Sequence, residues 1–241
     1  MQLLIMLDAI KRSSPSRVTA VIPYYGYARQ DRKHGPREPI TAKLVADLLS
    51  VAGPDRVLFL DLHAIQIQGF FDIPADDLHA DSLIIDYFAE KGLSAQNTTI
   101  VAINNGGARR VRRVALLTGA KIALIESRQH QDGKTLNVVG SLAETCIIID
   151  DILDTGNKVC AAAALLKDNG AKNVYVWATH PVLSTGAQHI QDSAIDEIAT
   201  TDSIPMSPEL RIPKIKVLSV APLIAEAIRR IHNEETLAGY V

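Results

Sequence analysis

The stretch Cys146-Ile147-Ile148-Ile149-Asp150-Asp151-Ile152-Leu153-Asp154-Thr155-Gly156-Asn157-Lys158 constrains the fold more than any other part of the chain. An apolar run of strand length ends in two adjacent acids, a short turn follows, and residues 159–166 have the composition of a helix. Apolar continuity without alternation marks a strand covered on both faces, hence the centre of a parallel sheet. Ligands of such sheets sit beyond the carboxyl ends of the strands, where this turn lies. The first turn of the helix offers backbone N–H groups and Thr155 offers a hydroxyl, a combination that binds phosphate. Asp150 and Asp151 cannot serve the same anion. They suit ribose hydroxyls, or a magnesium ion that in turn holds phosphates. The plainer alternative is a buried strand followed by a capping Asp-Thr pair.

The composition narrows the setting. A chain of 241 residues holds one large domain or two modest ones, with ample core. A net charge of -2 provides no basic field for nucleic acid or an anionic membrane. Cys146 falls in the predicted core strand and Cys160 on the helix after it, as structural thiols of a reducing compartment. No apolar run reaches the roughly 18 residues of a membrane span. The opening apolar residues are interrupted by Asp8 and Lys11 and lack a basic leader. A cytoplasmic protein is the expectation.

Periodicity and stop signals predict the remaining elements. A short amphipathic helix covers 3–10 and stops near Ser13-Ser14-Pro15, a strand covers 17–22, and a polar loop runs to Pro39. A helix over 40–51 and a strand over 56–61 follow, then a helix over 81–91 that ends at Gly92. Strands at 98–103, 121–126, 145–150 and 173–178 alternate with helices at 107–117, 155–169 and 184–191. A late strand at 214–220 precedes a closing helix at 223–231. That alternation defines an α/β chain with a parallel sheet. Three further places carry chemistry. Arg29 to Lys33 form a cationic loop after a strand, suited to polyphosphate if it is more than a solvated loop. Asp61-Leu62-His63 closes a strand, and a lone His there is more often structural than a ligand. Asn104-Asn105-Gly106-Gly107 is a strand-to-helix turn whose glycines admit an anion.

The motifs Tyr25-Gly26-Tyr27-Ala28-Arg29-Gln30-Asp31-Arg32-Lys33, Asp61-Leu62-His63-Ala64, Gln66-Ile67-Gln68-Gly69-Phe70-Phe71-Asp72-Ile73-Pro74 and Thr201-Asp202-Ser203-Ile204-Pro205 resemble those of ribose-phosphate pyrophosphokinases. These enzymes belong to the phosphoribosyltransferase superfamily, and the resemblance is collinear from Leu3 to about Leu237. It implies two phosphoribosyltransferase-like α/β domains with mainly parallel sheets flanked by helices. The first would span 1–79, incomplete and closed by the 221–241 helix, and the second 80–220, with the site between them. The implied reaction moves diphosphate from ATP to ribose 5-phosphate with Mg2+. By the same resemblance Arg29, Gln30 and His63 bind ATP, and His63 also lies beside magnesium. Asp150, Asp151, Asp154, Thr155, Gly156, Asn157 and Lys158 form the ribose-5-phosphate loop. A homo-oligomer, or association with an intact synthase, is implied as well.

The chain departs from the family at several places. Asn104 stands where the family has an acid that helps hold magnesium or the sugar. Ser127 and Gln129 stand where a mobile loop carries the catalytic Lys and Arg. Arg128 is the displaced cation left beside them, with His130 and Lys134 further along. Asn157 and Lys158 replace a small residue and a hydroxyl residue. The segment preceding Leu3, which in the family adds the first strands and an adenine loop, has no counterpart. A mis-assigned start, a fragment or a reduced paralogue would each leave an unpaired edge and uncovered apolar surface. Losing one oriented transition-state donor costs about 100- to 1,000-fold. The expectation is therefore impaired transfer, or a non-catalytic paralogue that binds phosphoribosyl ligands or modulates an intact synthase. A base-salvage phosphoribosyltransferase would explain the 150–155 loop but not Arg29–Lys33 or His63. A dinucleotide-binding Rossmann domain lacks its glycine fingerprint.

Overall fold

The computed structural model describes residues 1–33, 35–130 and 133–240, the side chains of Asn105, Arg128, Gln129, His130 and Lys134 excepted. The chain divides into two compact units, Met1–His79 with Leu223–Val241, and Ala80–Pro222.

The first unit comprises α1 (Gln2–Arg12), β1 (Thr19–Ile22), α2 (Thr41–Ala52), β2 (Arg56–Leu60), a 3-10 turn at Ile65–Phe70, and β3 (Ala75–Leu78). Its three strands are parallel in the order β1-β2-β3. On α2 the buried residues are Ala42, Ala46 and Leu49, spaced to form one helical face. Gly53 ends that helix in the left-handed conformation, as a glycine cap does. Tyr25, Phe59 and Phe71 form an aromatic cluster with centroids 5.1 to 6.1 Å apart, and the Tyr25 hydroxyl donates to the Ala42 carbonyl at 2.8 Å. The carboxyl-terminal segment is tied in through Arg17, which donates to the His232 carbonyl, and His79 N–H, which donates to the Tyr240 carbonyl.

The second unit runs α3 (Asp81–Glu90), β4 (Thr98–Ala102), α4 (Ala108–Thr118), β5 (Lys121–His130), β6 (Gly133–Val139) and β7 (Thr145–Leu153). It continues with α5 (Asn157–Asp168), β8 (Asn173–Pro181), α6 (Gln188–Gln191), β9 (Glu197–Thr201) and β10 (Ile215–Leu218). The start of α7 (Ala221–His232) ends this unit, and its remainder belongs to the first. The sheet order is β10-β9-β8-β7-β4-β5-β6, parallel throughout except for the antiparallel β5–β6 pair. β7 is the central strand. Cys146 and Ile148 pack with Val159, Ala162, Ala163 and Leu166 of α5 in one core. Ile147 and Ile149, also fully buried, project to the opposite face. Burying each such side chain stabilises the fold by about 1.5–3 kcal/mol. The mainly parallel α/β class is as the sequence implies.

Several elements differ from expectation. β7 continues through both acids to Leu153, because β8 extends beside it and pairs Ile152 with His180 and Leu153 with Pro181. β3 and β9 were not foreseen: β3 carries Asp76 and Asp77, and β9 is short and ends in two threonines. The segment read as a loop after Glu126 instead continues β5 and pairs with β6, with Ser127 opposite Leu136. The helix expected over 184–191 shrinks to α6, since Gly186 at φ 84° breaks the preceding turn. Both cysteines are free thiols, and burial raises that of Cys146 to about 11. Among the described residues no helix is long and apolar enough to cross a membrane.

Candidate active site

In the second unit the carboxyl end of β7 places its two acids side by side. Asp151 is buried and Asp150 half-buried, and the Asp151 N–H donates to Asp150 Oδ1 at 3.0 Å. Burial first, then the neighbouring Asp151 charge, pushes the Asp150 carboxyl up to about 7, while Arg110 opposes the shift. Arg110 lies on α4 with its Nη1 3.5 Å from Asp151 Oδ1 and 3.9 Å from Asp150 Oδ1. Sequence reading assigned it nothing. Its position three residues beyond the second glycine of the turn, on a first helical turn packed beside β7, was the available signal.

The turn after the acids is shaped sterically. Gly156 has φ 76°, and a Cβ there would lie 2.8 Å from Ile190 Cδ1 and 2.9 Å from His189 Nε2. Only glycine fits so close an approach. His189 Nε2 donates to the Thr155 carbonyl at 2.6 Å, a role fixed by the carbonyl being acceptor only. Ser184 donates to Asp154. His189 and Ser184 thus brace the turn from a segment about thirty positions downstream in sequence, which no local pattern announces. Gly156 is the N-cap of α5 and offers no side-chain cap, so no capping side chain takes its first N–H groups.

Beside that helix start lies a cleft of about 390 Å³ lined by Ile103, Asn104, Ile125, Ser127, Leu136, Asn157, Lys158, Ala161 and Ala162. Asn104, Ser127, Asn157 and Lys158, each singled out in the sequence, therefore share one cavity. Among the described residues Lys158 is its one cationic lining residue. The Asn104 Oδ1 accepts the Gly107 N–H at 2.9 Å. The side chains of Arg128, Gln129, His130 and Lys134 lie outside the described residues.

The remaining candidates sit in the first unit. Arg29 is exposed and Gln30 half-buried on the loop after β1. His63 is exposed just past β2, beyond Asp61 at φ 43°. Buried Asp77 accepts the Leu62 N–H at 2.9 Å, which holds the turn that carries His63. Gln66 donates to Asp31, joining the Arg29–Gln30 loop to the His63 segment. Among the described residues no cluster of three or more His, Cys, Asp or Glu side chains could hold a metal ion.

A mainly parallel sheet whose central strand carries two acids near its carboxyl end and runs into a glycine-shaped turn defines an α/β protein of the phosphoribosyltransferase type. Residues 1–53 match the N-terminal domain of ribose phosphate pyrophosphokinase, and residues 118–241 match the phosphoribosyl synthetase-associated domain. Ribose-phosphate pyrophosphokinase 2 of Enterococcus faecalis is 49% identical over 242 residues, covering 99% of this chain and 75% of that protein. Ribose-phosphate pyrophosphokinase of Bacillus cereus is 50% identical over 242 residues, with 99% and 76% covered. The crystal structure of phosphoribosylpyrophosphate synthetase from Mycobacterium smegmatis superposes with a TM-score of 0.88 at 42% identity. That match covers 96% of this chain and 76% of that one. The chain belongs to the ribose-phosphate pyrophosphokinase family.

Proposed function

We propose that the chain transfers the β,γ-diphosphate of ATP to the 1-hydroxyl of ribose 5-phosphate, with turnover reduced by the residues at Asn104, Ser127 and Gln129. The observation that carries this reading is the paired acids and the glycine-shaped loop at the carboxyl end of the central strand. The names of its relatives, each a ribose-phosphate pyrophosphokinase, support the same reaction.

In this reading the 5-phosphate rests on the first-turn N–H groups of α5, with Asp154, Thr155, Gly156, Asn157 and Lys158 around it. Asp150 and Asp151 accept hydrogen bonds from ribose hydroxyls and so orient carbon 1. Arg29 and Gln30 hold ATP, and His63 stands beside the triphosphate and its magnesium. The ion, carried in with ATP, neutralises phosphate charge. The sugar oxygen bonds to the β-phosphorus, the bond from that phosphorus to the α-phosphate oxygen breaks, AMP departs, and the hydroxyl proton is lost. Arg128 is the cation assigned to the developing charge, and Asn104 a poor substitute for a metal-facing acid. A cytoplasmic location and a homo-oligomer, or assembly with an intact synthase, accompany the proposal.

A second reading, phosphoribosyl binding without transfer, is favoured by the neutral Asn104 and Ser127 in the cleft. One assay separates the two. Product formation from ATP, ribose 5-phosphate and magnesium is measured for this chain and for a Ser127→Lys, Gln129→Arg double variant. Slow turnover that rises in the double variant is expected. Turnover within about tenfold of a typical ~10 per second in the unaltered chain would refute impairment. Silence from both variants leaves only the binding reading.

A further inference from the structure

We propose that Arg110 is a positioning residue that makes the Asp150–Asp151 pair select a vicinal diol over a divalent cation. The inference rests on the ribose-phosphate reading above and deepens it. α4 carries four arginines. Arg109 and Arg112 are exposed, and Arg113 is bound to Asp81 at 2.6 Å. Arg110 turns inward, its side chain 13% exposed, toward a carboxylate that is 5% exposed. A charged arginine that far from water needs a charged partner, and the acid pair provides one.

The contacts decide what else the pair can hold. At 3.5 and 3.9 Å they are charge contacts, longer than the hydrogen bonds of a bidentate arginine–carboxylate fork. Each carboxylate has about four lone-pair sites, more than the contacts with Arg110 use. A diol is neutral and asks only for acceptors in the right places. A divalent cation asks for negative charge, and here a guanidinium already neutralises it from the protein side. Bringing such a cation to these acids places it next to Arg110, which repels it. Removing Arg110 also leaves two like charges side by side, which separate or share a proton and lose the spacing that grips adjacent hydroxyls.

The test uses the full chain and its Arg110→Gln and Arg110→Lys variants. Ribose 5-phosphate and 2-deoxyribose 5-phosphate are titrated calorimetrically, and Mn2+ is followed by electron paramagnetic resonance without nucleotide. The unaltered chain is expected to prefer the ribose compound by at least about tenfold, because a site built to bond a hydroxyl rejects the ligand lacking it. Arg110→Gln is expected to lose most of that preference and to bind Mn2+ at least about tenfold more tightly. Arg110→Lys, which keeps the charge, should still exclude Mn2+. Equal weakening of both sugar phosphates in Arg110→Gln, with no gain in Mn2+, would make Arg110 merely structural and overturn the proposal. If Arg110→Gln does not fold, Arg110→Met, which keeps the apolar stem, takes its place with the same expected outcomes. Should the unaltered chain bind neither sugar phosphate, the ribose-phosphate reading falls, and the Mn2+ comparison alone still decides for or against Arg110.

Discussion

In the second unit β7 runs between β4 and β8 with both faces buried. In the first, among the described residues, β1 pairs only with β2, and the helices α1 and α2 leave Ile5, Met6, Ile10, Leu44, Leu48 and Val51 exposed. The difference concerns more than size. The acids and the Gly156 turn rest on a floor that cannot shift without opening a close-packed core. The cationic loop and His63 are held instead by one aromatic cluster, the Asp31–Gln66 bond and the turn at Asp61. The acids and the Gly156 turn are thus set on the deeper sheet, and the Arg29–Gln30 loop and His63 on the shallower one.

Substitutions can sharpen or break this contrast. The largest effect is expected at Trp177, fully buried on β8: Trp177→Ala should cost about 3–5 kcal/mol in urea unfolding. Gly156→Ala should cost about 1–3 kcal/mol through backbone strain alone, with the clash at His189 and Ile190 adding to it. Its ribose 5-phosphate affinity should fall at the same time, and an unchanged affinity would mean that the turn is not a phosphate loop. The third effect concerns pH. Burial and then Asp151 push the folded Asp150 carboxyl up to about 7, whereas an unfolded Asp titrates at ~3.9. Between those values the folded chain binds more protons than the unfolded one. Stability from this group is therefore present at the acid end and lost as pH rises toward and through 7. The urea midpoint should drop from pH 5 to pH 8, and less steeply in Asp150→Asn. The smallest effect is expected on the exposed face of the first unit, where Leu48→Ser should change stability by less than about 0.5 kcal/mol. It should raise the soluble fraction after centrifugation, because an uncovered apolar patch favours association.

The sequence announced the deeper unit better than the shallower one. An unbroken run of isoleucines, two acids and a helix-forming stretch can hardly be anything but a central parallel strand and its loop. Ser127 and Asn104 could be singled out from the sequence, but only the fold brings them into one cleft with Asn157 and Lys158. β3 was hidden because Asp76 is paired with Arg56 and Asp77 with the Leu62 N–H, so polar residues occupy strand positions. Arg110, Ser184 and His189 were missed for a different reason. Their partners lie some thirty to forty positions away, and periodicity reports only neighbours.

The most direct measurement is a calorimetric titration of ribose 5-phosphate into the intact chain and into an Asp150→Asn, Asp151→Asn double variant. Saturable binding of one ligand per chain, greatly weakened in the double variant, is the expected result. Absence of binding, or binding that the double variant leaves unchanged, would contradict the assignment of this loop.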